Sequence, residues 1–588
     1  MPLSEGENRI VAECRTRDGE EIASPPLTYS VRLSRRPTGL IQISVTDQGI
    51  VLEGGRSNVA ELGGSPVVRH LWSARPTNPS PLQVQASDGR ESYPLAGELE
   101  SERLLISSPH VDGEYYISLQ VTDREGHVDV AQSYFVVSDG RARTPHFEVE
   151  NPTWVDEAVV YGVIVRNFGS DGFRSVTERL PYLRELGVNA LWLSPVNATP
   201  EGNFGYGVTD YFELRPDCGT KADFKEMIRA AHSQGIRVLM DFVPNHTSVE
   251  HRYFQDAQSH GRESGYYDFY DRDSDGQPTH YFHWEHLPNL NFDNPEVSRF
   301  MLEAFSYWVR EFDVDGFRVD VAWGIRQRNP EFWPRWRQEL QRIKPDLLLL
   351  AEASARDPYY FTEGFDAAYD WTDELGHWAW EKVWEDSSHL TQRLHAALTN
   401  EGKGFHEDAL VFRFLNNNDT GARFISNHGE GLTRVATALL LTLPGVPCVY
   451  TGDEVGEWFS PYVDAGPITW EDKYGLLAYH KQLIQLRKQT PALRSRQWLP
   501  LDVRAEADLY GYLRYTGEAE QPHLVLLNFS EQDQQVQVRL PTAFQHLTEG
   551  GVLHDLLAGD EVDIQNGDTL TIHIAPSSAR ILATPRQI

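Results

Sequence analysis

Three cysteines in 588 residues (Cys14, Cys218 and Cys448) are too few, too scattered and too odd in number for a disulfide framework or a zinc site. Basic charge is also short. The chain has 53 Lys and Arg against 86 Asp and Glu, a formal net charge of −33. So acidic a surface argues against nucleic acid and anionic membranes as partners, and suits a neutral or cationic substrate or a salty habitat. No apolar run approaches the roughly 20 residues that span a bilayer. Residues 1–10 carry acids and no apolar h-region, so neither an anchor nor a signal peptide is expected and the cytoplasm is the default location. Internal repeats and low-complexity tracts are missing as well. What is abundant is aromatic material, with 15 Trp and 25 Tyr, enough to build several cores, and the length predicts three or four domains.

The first 145 residues read as all-β. Alternating runs such as 40–45 and 115–121 are separated by the turns Glu53-Gly54-Gly55, Asp88-Gly89 and Asp112-Gly113, which suits a small β-sandwich at 1–145. The stretch from Asp112 to Gly126 resembles the last strands of immunoglobulin-like or polycystic-kidney-disease-like modules. Such a module is expected to pack or to shape a cleft rather than to catalyse. Gly140, Pro145 and Pro152 mark a linker.

From Trp154 the period changes. Strand-length apolar runs at 158–165, 188–194, 236–242, 314–320, 346–352, 365–369, 409–414 and 447–451 alternate with helical segments at 175–186, 221–234, 295–312, 330–343, 389–399, 431–442 and 472–489. Between the fifth and sixth runs there is room only for a helical turn. Eight buried runs spaced by helices predict an α/β fold of the (β/α)8 TIM-barrel type over 153–495. A doubly wound sheet is the alternative, but no Gly-rich fingerprint follows a strand to support it. The stretch 246–294, rich in Tyr, Asp, His and Gly, is too long for a loop and predicts an inserted subdomain after the third strand. Short β runs return over 496–588 and predict a C-terminal antiparallel β domain.

Active sites of such barrels lie at the C-terminal ends of the strands. The third run ends Asp241-Phe242-Val243-Pro244-Asn245-His246, the fourth Arg318-Val319-Asp320, the fifth Ala351-Glu352-Ala353 and the seventh leads to Asn416-Asn417-Asn418-Asp419. Alone, Arg318 and Asp320 are an ordinary ion pair on one face of a strand. Together the four ends bring Asp241, Asp320, Glu352 and Asp419 to one rim, and unpaired charges there cost several kcal/mol. Paired carboxylates suit glycosyl transfer, one attacking the anomeric carbon while a second, kept protonated, serves the leaving oxygen. Metal-assisted hydrolysis would call for several His, and only His246 stands at these ends.

These four segments resemble the ordered sequence regions of the α-amylase family, glycoside hydrolase family 13. Gly205-Tyr206-Gly207, Leu287-Pro288-Asn289-Leu290-Asn291 and Leu443-Pro444-Gly445 through Gly452-Asp453-Glu454 add to the likeness, which covers about 154–493. In layout the chain resembles the cyclomaltodextrinase, neopullulanase and maltogenic amylase group. The resemblance implies Asp320 as nucleophile, Glu352 as general acid/base and Asp419 as the third carboxylate. It implies that Arg318 orients Asp320, that His246 and Tyr206 bind the same sugar, and that Asp241 supports the site. No cofactor is implied for the chemistry. Asn245 matches a structural calcium ligand. The implied partner is an α-glucan oligosaccharide, and relatives with such an N-terminal domain are often homodimers.

The departures from the family pattern point to specificity. Where Asn-His-Asp is usual, this chain has Asn417-Asn418-Asp419, so a side chain that can become cationic is replaced by one that cannot. Arg423 stands for an Arg expected soon after that Asp, one residue displaced. Trp323-Gly324 replaces a Lys-His found in many endo-acting amylases, adding an aromatic platform on the leaving-group side. A retaining hydrolase or transglycosylase of malto-oligosaccharides, cyclodextrins or related short α-glucans is therefore expected. The alternatives are an α-glucosidase, an α-1,6-glucosidase or a sugar isomerase of the same family, and, from another class, a non-catalytic α-glucan-binding protein.

Overall fold

The computed structural model describes residues 6–584, apart from 12, 17–20, 25–26, 32–34, 61–63, 87–90, 148–149, 386–387, 464–465, 505–507 and 565–568. The expected Asp88-Gly89 turn and residues 1–5 lie outside the described residues. Two compact units emerge, 1–146 with 341–345, and the remainder.

In the first unit, two five-stranded antiparallel sheets share a core. One runs in the order Leu99–Glu100, Val67–Ala74, Gly113–Asp123, Val128–Ser138, Arg141–Arg143. The other runs Gln42–Thr46, Gly49–Glu53, Arg103–Ile106, Gln83–Gln85, Ser92–Pro94. Alternation explains the pairing. Tyr115, Ile117, Leu119 and Val121 on one sheet and Ile50, Leu52 and Ile106 on the other are all buried in one cluster around Trp72.

The second unit is built on a closed parallel barrel of eight strands in sequential order. They are β1 (Val160–Val163), β2 (Ala190–Leu193), β3 (Arg237–Phe242), β4 (Gly316–Val319), β5 (Leu348–Ser354), β6 (Ala367–Tyr369), β7 (Leu410–Phe414) and β8 (Val446–Tyr450). The helices are α1 (Gly172–Leu186), α2 (Lys221–Ser233), α3 (Pro295–Phe312), α4 (Ala322–Arg328), α5 (Phe332–Ile343), α6 (Leu390–Leu398), α7 (Phe424–Thr442) and α8 (Leu476–Gln489). Helix α3 starts on Asn294, whose side chain caps Glu296 N, with Pro295 in its first turn. All eight expected strands are present. Helix α4 is unexpected, and it follows β4 almost at once. Helix α7 begins earlier than expected, because its first turn is separated from the rest by a break at Gly429 (φ 77°).

Inward-facing side chains fill the barrel. Trp192 meets Tyr369, Phe412 and Tyr450 with ring centroids 6.4, 6.0 and 5.7 Å apart, an aromatic floor beneath the C-terminal rim. The inserted stretch after β3 has one helix of some length, Arg252–His260, and is otherwise held by isolated bridges, among them His246 to Asn289 and Tyr270 to Leu290. Beyond α8 the chain forms a six-stranded and a three-stranded antiparallel sheet over a common apolar core. Among the described residues no helix is long and apolar enough to cross a membrane.

Candidate active site

The parallel register sets Asp241 on β3 directly beside Arg318 on β4, both pointing inward above the aromatic floor. Arg318 is fully buried and is the hub of the site. Its Nη1 donates to Asp241 Oδ1 at 3.0 Å and to Asp320 Oδ1 at 2.9 Å, and its Nε donates to the Tyr369 hydroxyl at 3.0 Å. Glu352 Oε1 lies 2.7 Å from Nη2, yet Nη2 has no aligned hydrogen bond, so this contact is one of charge rather than direction. Trp192 Nε1 donates to the second oxygen of Asp241 at 3.2 Å. Val321 N donates to Glu352 Oε2 at 2.7 Å. To aim that N–H, Val321 takes a left-handed conformation (φ 49°, ψ 41°), which costs a β-branched residue about 1–3 kcal/mol and is held by the start of α4.

Three buried carboxylates therefore crowd one guanidinium, with Asp419 close enough to act on the same charge. Burial raises the pKa of Asp320 to about 7, against the pull of Arg318. It does the same to Asp241, also to about 7. Glu352 is pushed well above the ordinary carboxylate range, first by burial and then by the charges of Asp320 and Asp419, again against Arg318. Burial also raises Asp419. One guanidinium cannot neutralise four anions, so the group retains protons near neutral pH. Asp320 has the directed bond from Arg318, and Glu352 has none from it.

A second network lies beside this one. Asn418 Nδ2 donates to the hydroxyls of Tyr206 and Tyr462, each at 2.9 Å, and the Tyr462 hydroxyl reaches Asp419 Oδ1 at 3.4 Å. Within these two networks, Asp320 Oδ2 and Asn418 Oδ1 are buried with no hydrogen-bond partner. Trp323 packs near Tyr281 and Phe282 with centroids 6.2 and 5.8 Å apart, and Phe282 is 59% exposed. These rings form an aromatic wall between α4 and the inserted stretch.

Two expected site residues have other partners. His246 is wholly buried and stacks on Tyr281. Its Nδ1 accepts from Asn245 Nδ2 at 3.1 Å and its Nε2 donates to the Tyr206 carbonyl at 3.0 Å, which leaves no ring nitrogen for a sugar. Burial lowers its pKa to about 3, so it stays neutral. Arg423 donates to the carbonyls of Phe459 and Thr451 and meets Asp453 at 3.4 Å, bracing the loop after β8. It is 1% exposed and does not join the cluster. Asn245 does not fit a metal ligand. Both of its oxygens accept from the guanidinium of Arg328, and a second cation there would meet that charge.

Sequence reasoning missed Trp192, Tyr369, Tyr281 and Tyr462. The first two follow from strand alternation, being inward-facing residues on β2 and β6. Tyr462 stands in the aromatic stretch Trp458-Phe459-Ser460-Pro461-Tyr462 after β8. The Val321 N–H is backbone and leaves no trace in the sequence.

Carboxylates gathered at this end of such a barrel, with one buried oxygen, Asp320 Oδ2, left without a hydrogen-bond partner, are equipment for transfer of a glycosyl group. The model of the alpha amylase catalytic domain matches residues 166–472. The chain is 31% identical over 426 residues to a cyclomaltodextrinase of Geobacillus thermopakistaniensis, covering 70% of this chain and 69% of that one. It is 35% identical over 321 residues to the alpha-amylase MalA of Haloarcula japonica, a match spanning 54% of this chain and 46% of that one. Among solved structures, a noncanonic maltogenic alpha-amylase, AmyB of Thermotoga neapolitana, superposes with a TM-score of 0.62 at 24% identity, covering 73% of this chain and 99% of that one, which bears on the fold. The chain belongs to the alpha-amylase family of glycoside hydrolases.

Proposed function

We propose that this protein hydrolyses α-glucosidic bonds of short α-glucans, malto-oligosaccharides and cyclodextrins, with retention of the α configuration and some transfer to sugar acceptors. The observation that carries this reading is the group of carboxylates around Arg318 in which one oxygen, Asp320 Oδ2, is buried and unengaged. Arg318 holds Asp320 Oδ1, so Oδ2 is the atom that attacks the anomeric carbon. Glu352 gives its proton to the glycosidic oxygen as the bond from that oxygen to the anomeric carbon breaks, leaving a β-linked glycosyl ester on Asp320. Glu352 then takes a proton from water, or from a sugar hydroxyl, whose oxygen displaces Asp320 and restores the α configuration.

For this, Glu352 turns from Arg318 toward the leaving oxygen, a movement favoured by the lack of an aligned hydrogen bond between them. Asp419 and the free Oδ1 of Asn418 accept hydroxyl protons of the same sugar, and Tyr206 offers its ring beside them. Asp241 positions Arg318. The wall of Trp323 and Phe282 receives the leaving-group sugars by stacking, which suits short or curved glucans with few subsites. The similarity to a cyclomaltodextrinase supports the choice of substrate class.

The test is a product profile on maltotriose, β-cyclodextrin, pullulan, isomaltose and trehalose. Turnover of the first two with an α-configured first product is expected, and Asp320→Asn abolishes it without loss of fold. Turnover confined to isomaltose, or rearrangement of trehalose without hydrolysis, would sink the substrate assignment.

A further inference from the structure

Helix α4 leaves the catalytic strand at Val321 and ends on Arg328, where it meets the inserted stretch. Arg328 Nη2 donates to Asn245 twice, to its carbonyl at 3.3 Å and more closely to its side-chain Oδ1. Asn245 in turn donates through Nδ2 to Asn289 Oδ1 and to His246 Nδ1, both at 3.1 Å, while its carbonyl also accepts from Leu290 N at 3.0 Å. The next residue, Asn329, donates from Nδ2 to the Phe292 carbonyl at 2.8 Å. Gly324 permits the approach, since a Cβ there would stand 2.4 Å from Asn245 Oδ1. Burial draws the Arg328 pKa down to about 10 while Asp271 and Asp293 pull it up, so the guanidinium keeps its charge at neutral pH.

We infer that Arg328 is a cation supplied by the chain itself. It ties the end of α4 to Asn245 after β3, and through Asn245 to Asn289 and Leu290 of the inserted stretch, in place of a bound divalent ion, and so holds His246, Tyr281 and the α4 end of the catalytic strand in register. A metal at Asn245 would have to displace the guanidinium or share its two oxygens. A fixed positive charge with hydrogen-bond donors satisfies the same carbonyl and amide oxygens as a hard cation would, and is not lost to a chelator. Arg328 is a positioning residue, because nothing places it against a substrate atom. Only Nη2 is engaged, so a lysine ammonium can substitute in part.

The test compares the purified full chain with its Arg328→Gln, Arg328→Lys and Asn245→Ala variants, measuring melting temperature with EDTA or with added CaCl2, calcium content, and kcat and KM on maltotriose. For the wild type, EDTA and CaCl2 are expected to leave the melting temperature within about 1 °C. Arg328→Gln is expected to melt lower by about 3 °C or more, with kcat reduced about ten-fold and KM changed less. Arg328→Lys recovers most of both. A wild-type melting temperature that falls with EDTA and returns with CaCl2, in a response that Asn245→Ala abolishes, would overturn the inference. So would an Arg328→Gln variant that melts and turns over like the wild type. The melting arm needs no substrate, so it stands apart from any failure of the proposed glucan specificity.

Discussion

The two ends of the barrel handle buried carboxylates in opposite ways. Just before β4, β5 and β6 stand Asp315, Asp346 and Asp366. Asp315 accepts from Arg237 Nη1 at 3.0 Å, His232 Nε2 at 2.6 Å and Val238 N at 2.8 Å. Asp346 accepts from the same Arg237 at 3.0 Å, and Asp366 takes Arg337 and Leu349 N on its two oxygens, each at 2.7 Å. Each of Asp315 and Asp366 has a donor on both oxygens. At the other end, Asp241, Asp320 and Glu352 share a single guanidinium that also acts on the charge of Asp419, and Asp320 Oδ2 has no donor at all. Saturated carboxylates stitch strands together. Undersaturated ones hold free energy ready for a ligand and are costly to keep until it binds.

Substitutions at the two ends should therefore move stability and activity in different directions. The largest effect is expected from Asp320→Asn, with kcat down about 10^4-fold or more in a reducing-sugar assay. Its melting temperature should rise. The folded-state pKa of Asp320 is raised from 3.8 to about 7, so the wild type loses stability as pH climbs through that window. The neutral side chain avoids this loss, and its advantage should be small near pH 4 and reach about 2 °C or more at pH 8.

At the lower end, Arg237→Ala should do the reverse. It leaves Asp315 and Asp346 without their guanidinium, costing about 3 kcal/mol in denaturant unfolding. The kcat of the protein that remains folded should change less than about two-fold. An unchanged midpoint there, or a lost kcat, would break the contrast.

The pH profile sharpens it further. The proposed mechanism needs Asp320 ionised and Glu352 protonated. With Asp320 raised to about 7, the acid limb of kcat/KM should rise near neutrality, and the alkaline limb should follow from Glu352 above it. An acid limb near pH 4 would mean that Arg318 outweighs burial. Smaller still is the effect of Tyr462→Phe. It removes an acceptor from Asn418 Nδ2 and a donor from Asp419, so kcat/KM on maltotriose should fall about five-fold, the equivalent of one hydrogen bond.

Much of this was legible in the sequence because buried parallel strands are apolar on both faces, which made the eight runs stand out against the helices. The carboxylates were legible for the same reason, as charges at the ends of such runs. Helix α4 was not, because the turn into it depends on a left-handed Val321, a conformation that its side chain opposes. The reading of His246 and Arg423 as sugar contacts rested on motif position, and position does not say which way a ring or a guanidinium faces. His246 spends its nitrogens on Tyr206 and Asn245, and Arg423 its donors on carbonyls after β8. Arg328 stands 83 residues from Asn245 in the chain and could be linked to it only once the fold had brought the two together.

The most direct test of the central claim is to trap the glycosyl ester. A fluorinated α-glucosyl fluoride that slows the second step should add one glycosyl mass to the intact protein, and peptide mass spectrometry should place it on Asp320. An adduct on Glu352 or Asp419, or direct release of a β-configured product with no adduct, would contradict the assignment.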